Sequence, residues 1–281
     1  MIDYAKLTWP EAKALFDQDP VALLPVGATE AHGPHLPLDT DVTIACAQAR
    51  RAAERLVERG VPAFVLPPVA YTVAQFAFGF PGTITVRPTT LWNLVEDVVE
   101  SLEQHGVRRV VLCNAHLELA HVKLLRGLLK DHAKMTPRHA QLIFPDITRR
   151  RWAQTLGEEF LSGECHAGRY ESSIVMAADE SSVREAERLA LEPKEVGLIE
   201  KMLGGAKDFL EIGADAAWCG DPASASAEEG RALIDSLATV VVSTIEEEWP
   251  DRFDGTATHP ASASASPPAI PPASPGASPS A

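Results

Sequence analysis

Three continuous apolar runs, each followed by a stretch with helical spacing, constrain the fold of this chain more than any other feature. The runs occupy residues 21–26, 63–71 and 108–115 and lack the polar alternation of a half-exposed strand, so they are typical of strands buried on both faces. Parallel strands need crossover connections, which the intervening helices supply. The sequence therefore predicts an α/β fold, a three-layer αβα sandwich around a mostly parallel central sheet.

The predicted helices begin and end at residues that commonly bound helices. Thr8 and Pro10 favour a helix start, and Gly60 follows a helix end. Helices are predicted at residues 8–16, 40–60, 89–105, 117–134, 169–178 and 227–248, with helix and loop in 193–209. A further strand is predicted from His139, and the glycine-rich aromatic loop at 75–86 is expected to lead into a short strand.

Composition predicts one folded domain and a tail. The chain has 281 residues, of which 46% are apolar, and this is enough for a substantial core. From Asp254 onward, however, Ala, Pro, Ser and Gly dominate, and a segment of that composition cannot bury a core. We therefore expect one domain over residues 1–253 and a disordered tail over residues 254–281.

A net charge of −14 disfavours two classes of partner. Nucleic acids and anionic membranes are bound through cationic surfaces, so neither is expected here. The cysteines form no CxxC pair and are expected to be reduced thiols; they are Cys46, Cys113, Cys165 and Cys219. Neither a membrane-spanning run nor a signal-peptide pattern is evident. These features favour a cytoplasmic protein.

The loop after the first apolar run concentrates acidic and imidazole side chains, namely Glu30, His32, His35, Asp39 and Asp41. Such groups repel or desolvate one another when they are held close together, unless a cation binds them. Glu30 and His32 are two residues apart on an extended segment and point the same way, and Asp41 enters from the next helix. His35 can orient the loop and Asp39 can cap the helix, so both are left outside the predicted ligand set.

A second strand end repeats the two-residue spacing. His116 and Glu118 follow the run at 108–115, and ligands of such sheets bind beyond the carboxyl ends of the strands. Together with the three ligands of the first loop, they can hold two adjacent divalent ions if one carboxylate bridges them. Nitrogen and carboxylate ligands favour zinc or manganese over metals that prefer thiolates. His121, on the following helix, is interpreted as a packed or exposed histidine.

Other segments admit more than one interpretation. Cys165 and His166 suggest a Cys–His nucleophile, but neighbouring residues of an extended chain point to opposite sides, which disfavours that interpretation. The aromatic and glycine residues at 76–82 fit either a wall of a substrate pocket or ordinary turn and core residues. The triplet at 220–222 favours a tight turn before the last helix.

Five motifs resemble those of the creatininase (creatinine amidohydrolase) family. They are LPVGATEAHGPHLPLDTD, FPGTITVRP, NAHLE, ECHAGRYESS and GDPASASAEEG, in the family's order and spacing over about residues 20–232. The resemblance implies a creatininase-like fold and a metal-dependent hydrolase. The expected reaction is cleavage of a carbon–nitrogen bond, other than an ordinary peptide bond, in a small amide by water that the metals activate.

The resemblance also implies metal ligands. Glu30, Asp41 and His116 would hold one divalent ion, and His32, Asp41 and Glu118 would hold the other, with Asp41 bridging. The ions would be zinc or manganese, with iron possible. Family members assemble as symmetric oligomers, so the resemblance predicts a homo-oligomer, specifically a hexamer.

Catalytic and substrate-binding residues are implied in the same way. His166 would be the acid–base group, and Glu171 an additional acidic group, or a ligand if Glu118 is not one. Leu117, which stands between two ligands where creatininases carry an aromatic residue, is predicted to contact substrate. Phe78 and Glu164 are predicted to do the same.

Three alternative functions stay open at this level. A formamide hydrolase acting on a phosphorylated pyrimidine of flavin or deazaflavin biosynthesis would need a basic pocket, and Arg87, Lys123 and Arg169 are too scattered in sequence to decide. A peptidase that trims a short modified peptide, as in mycofactocin maturation, is the second alternative. The third is a catalytically silent paralogue that binds a metabolite, against which the intact ligand set argues.

Overall fold

A five-stranded parallel sheet forms the centre of the protein, whose computed structural model describes residues 2–134 and 140–253. The strands are β1 (Ile2–Asp3), β2 (Val21–Val26), β3 (Ala63–Val65), β4 (Arg109–Asn114) and β5 (Gln141–Ile143). Neighbouring strands pair in parallel in the order β1-β3-β2-β4-β5. The predicted α/β architecture with a parallel central sheet is confirmed.

Helices cover both faces of this sheet. They are α1 (Trp9–Phe16), α2 (Thr40–Glu58), α3 (Pro88–Gln104), α4 (Leu119–His132), α5 (Arg150–Ala153), α6 (Glu158–Ser162), α7 (Arg169–Asp179), α8 (Glu185–Leu189), α9 (Leu198–Leu203) and α10 (Ala227–Glu248). The six longest lie where the sequence predicts them. Neither β1 nor the short helices α5, α6 and α8 are predicted, because they contain too few residues for a periodic pattern.

Strand β2 shows why the sheet needs a helical layer on each side. Ala22 and Leu24 pack with residues of α3 and α4 in one apolar cluster, whereas Val21 and Leu23 pack with α2 and α10 in another. Successive side chains of a strand point to opposite faces, so each face needs its own cover. All six residues of β2 are buried, which accounts for the unbroken apolar run in the sequence.

The strands are shorter than the apolar runs that predict them. β3 ends at Val65, because Pro67 and Pro68 have no N–H to donate to a ladder. The prediction of a short strand at the end of the segment 75–86 is wrong, because Ile84 makes only a single bridge to Thr29. The predicted tail at 254–281 and the start of the strand predicted from His139 lie outside the described residues. Within the described part, no helix is long and apolar enough to cross a membrane.

The carboxyl ends of β2 and β4 lie side by side. Val26 pairs with Asn114, and the N–H of Ala115 donates to the Val26 carbonyl at 3.0 Å. Beyond β2, a Cβ on Gly27 would lie 2.6 Å from the backbone nitrogen of Val42, so only glycine lets the start of α2 approach this closely. The two acidic segments that the sequence places after different strands therefore meet at one edge of the sheet.

Candidate metal centre

Four predicted ligands converge at this edge, and all four are at most 3% exposed; they are Glu30, His32, Asp41 and His116. The loop that carries Glu30 and His32 is held by backbone contacts: the Glu30 N–H donates to the Leu38 carbonyl at 2.9 Å, and the Ala31 N–H donates to Thr83 Oγ1 at 3.0 Å. Asp41 lies in the first turn of α2, where its negative charge interacts favourably with the helix dipole.

One group of ligand atoms surrounds His116. Its Nδ1 lies 2.9 Å from Asp41 Oδ2 and 3.3 Å from Glu30 Oε1. The His116 Nε2–H donates to the Val73 carbonyl at 2.8 Å, which orients the ring so that Nδ1, once deprotonated, can bind a cation. This is the triad that the family resemblance implies for the first ion.

A second group surrounds His32. Its Nε2 lies 3.3 Å from Asp41 Oδ1 and 3.5 Å from Glu171 Oε2, while its Nδ1–H donates to the Glu30 carbonyl at 3.1 Å. The two oxygens of Asp41 therefore face different imidazoles, which is the arrangement of a bridging carboxylate. Glu171 completes this group from the first turn of α7.

These residues fit divalent ions. His32 Nε2 and Asp41 Oδ2 are buried, make no hydrogen bond of good geometry and face only other members of the cluster, although buried polar atoms are normally paired. Ligand atoms bound at 2.0–2.1 Å in a tetrahedral site are roughly 3.4 Å from one another, close to the distances between His32 Nε2 and its two carboxylate oxygens. Glu30, His32 and His166 form a further group, in which the potential ligand atoms lie within 4.8 Å of one another.

The electrostatics of the cluster also favour cations. Burial lowers the pKa of His32, but Asp41, Glu171 and Glu30 outweigh it and raise that pKa to about 10. Burial likewise opposes the charged form of His116, yet Glu30 and Asp41 raise its pKa well above the ordinary value. In the metal-free protein, protons on these imidazoles offset the negative charge of the carboxylates. Bound cations would offset the same charge at the same positions.

The acidic members differ in their pKa. For Asp41, burial opposes ionisation, but the cationic His32 and His116 outweigh it and hold the pKa well below its ordinary value. For Glu171, burial and the nearby Asp41 outweigh the attraction of His32 and raise the pKa to about 8. Glu171 thus carries a proton at neutral pH until a cation displaces it.

Glu118, predicted as the third ligand of the second ion, lies with Glu30, Asp41 and His116 in the lining of one cavity but makes different contacts. Its Oε2 accepts a hydrogen bond from the Phe76 N–H at 2.9 Å and lies 3.9 Å from His116 Nε2, the ring atom that does not face the cluster. Among the described residues, the close groups of potential ligands do not include Glu118. Its role as a ligand stays a prediction, and the geometry favours Glu171.

His166 lies between two rings at the edge of the cluster. Its ring centroid is 4.4 Å from that of His32 and 4.3 Å from that of Phe209, against which it stacks. Burial, together with the positive charge of His32, lowers its pKa well below the ordinary value, so the imidazole is neutral. The Nε2–H donates to the Ala31 carbonyl at 3.1 Å, which leaves Nδ1 able to accept a proton.

A small cavity of about 40 Å³ opens onto the cluster. Its floor is formed by acidic and imidazole side chains, namely Glu30, Asp41, His116, Glu118, His166 and Glu171, with Cys165 beside them. Its remaining wall, which we call the apolar roof, consists of Phe76, Leu117, Leu198, Ile199, Met202 and Phe209. Neither lysine nor arginine occurs among the described residues that line it. The cavity therefore has one charged side and one apolar side.

The three predicted substrate contacts have different positions. Leu117 lines the cavity. Phe78 is 54% exposed and lies outside the lining, because the turn after Gln75 directs Phe76 inward instead. Glu164 also lies outside the lining, and its carboxylate accepts the backbone N–H groups of residues 196–198. For Phe78 and Glu164 a contact with substrate stays a prediction.

The side chains that the sequence leaves outside the ligand set make local contacts. His35 Nε2 lies 2.9 Å from Ser172 Oγ, next to Glu171, and His121 Nε2 lies 2.8 Å from Asn114 Oδ1. Asp39 precedes α2, but its side chain makes no capping hydrogen bond. Cys165 lines the cavity, but burial raises the pKa of its thiol well above the ordinary value, which disfavours a thiolate nucleophile.

Comparison with known proteins shows to which family this chain belongs. The family model for creatininases, described as creatinine amidohydrolase, matches residues 5–245. The chain belongs to the creatininase family. It is 31% identical over 252 residues to the mycofactocin precursor peptide peptidase of Mycolicibacterium smegmatis, covering 86% of this chain and 90% of that protein. It is 29% identical over 267 residues to the creatinine amidohydrolase of Pseudomonas putida, covering 87% and 96%.

Solved creatininase structures share the fold. A creatininase described as a Mn form matches with a TM-score of 0.68 and 27% identity over 89% of this chain and 99% of that one. A mutant creatininase of Zn–Zn type matches with a TM-score of 0.65 and 25% identity over 88% and 98%. The predicted family, the creatininase-like fold and the enzyme class, a hydrolase of carbon–nitrogen bonds, are confirmed.

Proposed function

We propose that this creatininase-family hydrolase uses two divalent ions, zinc or manganese, to cleave the amide bond of a small substrate. Glu30, Asp41 and His116 would hold one ion, and His32, Asp41 and Glu171 the other. The observation that carries this assignment is that each Asp41 oxygen faces a different imidazole, at 2.9 Å and 3.3 Å. The metals named for the solved relatives support zinc and manganese.

The chain's own residues supply orientation and proton transfer. When bound, the ions would polarise an amide carbonyl and lower the pKa of water, as divalent metals do in hydrolases. Neutral His166 can accept a proton at Nδ1 and return it to the leaving nitrogen. Water adds to the carbonyl carbon, the carbon–nitrogen bond breaks, and the products are an amine and a carboxylate. Phe209, stacked on the His166 ring, excludes bulk water from that face.

The cavity narrows the range of substrates. A phosphorylated pyrimidine would need cationic partners, yet the described lining contains no lysine or arginine, and Arg169 is paired with Glu229 at 2.7 Å. The formamide hydrolase alternative is therefore disfavoured. The similarity to the mycobacterial peptidase supports a short peptide as the second candidate substrate, since a peptide also offers an uncharged amide.

A metal analysis coupled to an activity screen tests this proposal. Protein loaded with zinc or manganese should contain about two equivalents of metal per chain and hydrolyse at least one of creatinine, small formamides and short peptides. His116→Ala should lose metal and that activity together, because it removes one of the imidazole ligands. Full metal content and full activity in this variant would refute the assignment. Binding of less than one equivalent by the wild type would instead favour the silent metabolite-binding paralogue.

We also propose that the chain acts in the cytoplasm as a homo-oligomer, a hexamer by family resemblance. All four cysteines are free, which supports a reducing compartment. Light scattering on the purified protein measures the assembly directly, and a monomer at micromolar concentration would contradict this part of the proposal.

A further inference from the structure

The apolar roof is built largely by a segment that carries none of the predicted site residues. Leu198, Ile199 and Met202 come from α9, and Phe209 follows it. Phe209 packs edge-to-face on Phe76, with ring centroids 4.8 Å apart, and stacks on His166. The same segment thus covers both the proton-transfer group and the space next to it.

The position of α9 is fixed from the loop that carries His166. The Glu164 carboxylate accepts N–H groups of Val196 and Leu198 at 3.0 and 3.1 Å, and that of Gly197 between them. The neighbouring Gly163 has no side chain, and a Cβ there would lie 2.7 Å from Ile199 Cγ1. Glu164 and Gly163 lie two and three residues before His166. The same short segment therefore fixes the position of both the apolar roof and the acid–base group.

The size and charge of the cavity restrict what can lie under this roof. A volume of about 40 Å³ holds roughly three water-sized groups, so a larger substrate must extend out of the cavity or displace α9. Glycines with positive φ stand at both ends of this segment, Gly197 at 69° and Gly205 at 99°, and can accommodate such a shift. A charged substrate group placed under the roof would lose hydration without gaining a partner.

We propose that the apolar roof is a specificity determinant, which selects amides that carry an uncharged, apolar group next to the scissile bond. The inference rests on the proposed metal-dependent function, since the metals would hold the other end of the substrate. Leu198, Ile199 and Met202 are the residues that make the selection, and Glu164 is a positioning residue that holds them in place.

Hydroxamates test this selection without requiring turnover, because they bind divalent metals through two oxygens and can carry any side group. Acetohydroxamate, benzohydroxamate and succinic monohydroxamate would be titrated calorimetrically into the zinc-loaded protein. Benzohydroxamate should bind at least about tenfold more tightly than acetohydroxamate, in line with the discrimination of hydrophobic pockets. The anionic succinic derivative should bind no more tightly than acetohydroxamate.

Variants of α9 assign the preference to the roof. Met202→Gln and Ile199→Asn should reduce the affinity ratio of benzohydroxamate to acetohydroxamate to below about threefold, whereas Met202→Leu should preserve it. Leu203→Gln is the matched control, because Leu203 adjoins Met202 but is 69% exposed on the outer face of α9; it should keep the ratio of the wild type. Metal content, measured for each variant, shows whether the site is intact.

The outcomes separate the two proposals. Two equivalents of zinc with equal affinity for the two neutral hydroxamates, or a preference that persists in Met202→Gln and Ile199→Asn, would overturn the roof as a specificity determinant and leave the metal assignment standing. Failure to bind zinc would overturn both.

Discussion

At the scale of single residues, Glu171 and Glu118 compete for one role. Glu171 Oε2 accepts the Ala167 N–H at 2.7 Å and lies 3.5 Å from His32 Nε2. Glu118 Oε2 accepts the Phe76 N–H at 2.9 Å and lies 3.9 Å from the His116 nitrogen that points away from the cluster. Glu171→Gln should therefore reduce the zinc content from two equivalents to about one, because an amide is a poor ligand for zinc. Glu118→Gln is the matched control and should keep two equivalents. Atomic absorption after dialysis measures both; loss of zinc in Glu118→Gln alone would restore Glu118 as the ligand.

The same residues predict a dependence of metal affinity on pH. With raised pKa values of about 10 and about 8, His32 and Glu171 are both protonated at pH 7 and must lose their protons to bind metal. Affinity at the second site should then rise roughly 100-fold per pH unit below pH 8 and about tenfold per unit between pH 8 and 10.

Calorimetry in two buffers of different ionisation enthalpy counts the protons released. About two should leave for the second ion at pH 7, and in Glu171→Gln, which should bind only the first ion, this release should be absent. A binding enthalpy that is the same in both buffers would mean that the ligands are already deprotonated.

Part of the site can be predicted from the sequence, because several ligand residues lie close together in the chain, directly after predicted strands. Glu30, His32 and Asp41 lie between the end of β2 and the first turn of α2, and His116 follows the paired strand β4, so the α/β topology alone brings them together. The two-residue spacing predicts Glu118 as a ligand beside His116, but it gives no signal for the approach of Glu171 to His32, which depends on the packing of α7. Phe209 and Met202 give no signal, because apolar residues at helical spacing predict core packing with or without a substrate.

At the scale of elements, the contact between α7 and α10 places Glu171. Gly230 of α10 lies so close to the Ser173 carbonyl of α7 that a Cβ would overlap it. Gly230→Ala should therefore force the helices apart and destabilise the protein by about 1–3 kcal/mol, lowering Tm by roughly 2–12 °C.

Gly127→Ala is the matched helical control for that prediction. A Cβ at Gly127 would meet the Trp92 ring at 3.5 Å, an ordinary contact, so this change should be neutral or stabilise by up to about 1 kcal/mol. Differential scanning calorimetry compares the two variants. Equal Tm values would show that the close approach of α7 and α10 is not needed.

The attachment of α9 is a second property of an element. Glu164→Ala removes the acceptor of three backbone N–H groups, and hydrogen bonds to charged groups contribute about 1.5–3 kcal/mol each. Amide exchange at residues 196–198 should accelerate at least about tenfold, while metal content is retained. Glu195→Ala, a change at an exposed acidic residue of the same segment, should leave the exchange unchanged; unaltered protection in Glu164→Ala would show that α9 is held otherwise.

At the scale of the whole molecule, metal binding should stabilise the fold, because the ligands come from the loops after β2 and β4 and from the first turns of α2 and α7. At a free metal concentration 100-fold above Kd, the gain is about 2.7 kcal/mol. Thermal scans with added zinc should show a higher Tm, which a chelator reverses, and the shift should disappear in His116→Ala. A Tm that does not change with zinc would mean that zinc does not bind the cluster in the folded protein.

The separation of the ligands along the chain also sets an order of events during synthesis. The two imidazoles and three carboxylates span residues 30 to 171, and contacts over such distances form only after loop closure, late in folding. A nascent chain that ends before α7 contains the first triad but not Glu171. Under the proposed ligand assignment, the second ion would therefore be captured only after all five strands have been translated. Under the proposed assignment, binding of the second ion would thus follow formation of the sheet rather than nucleate it.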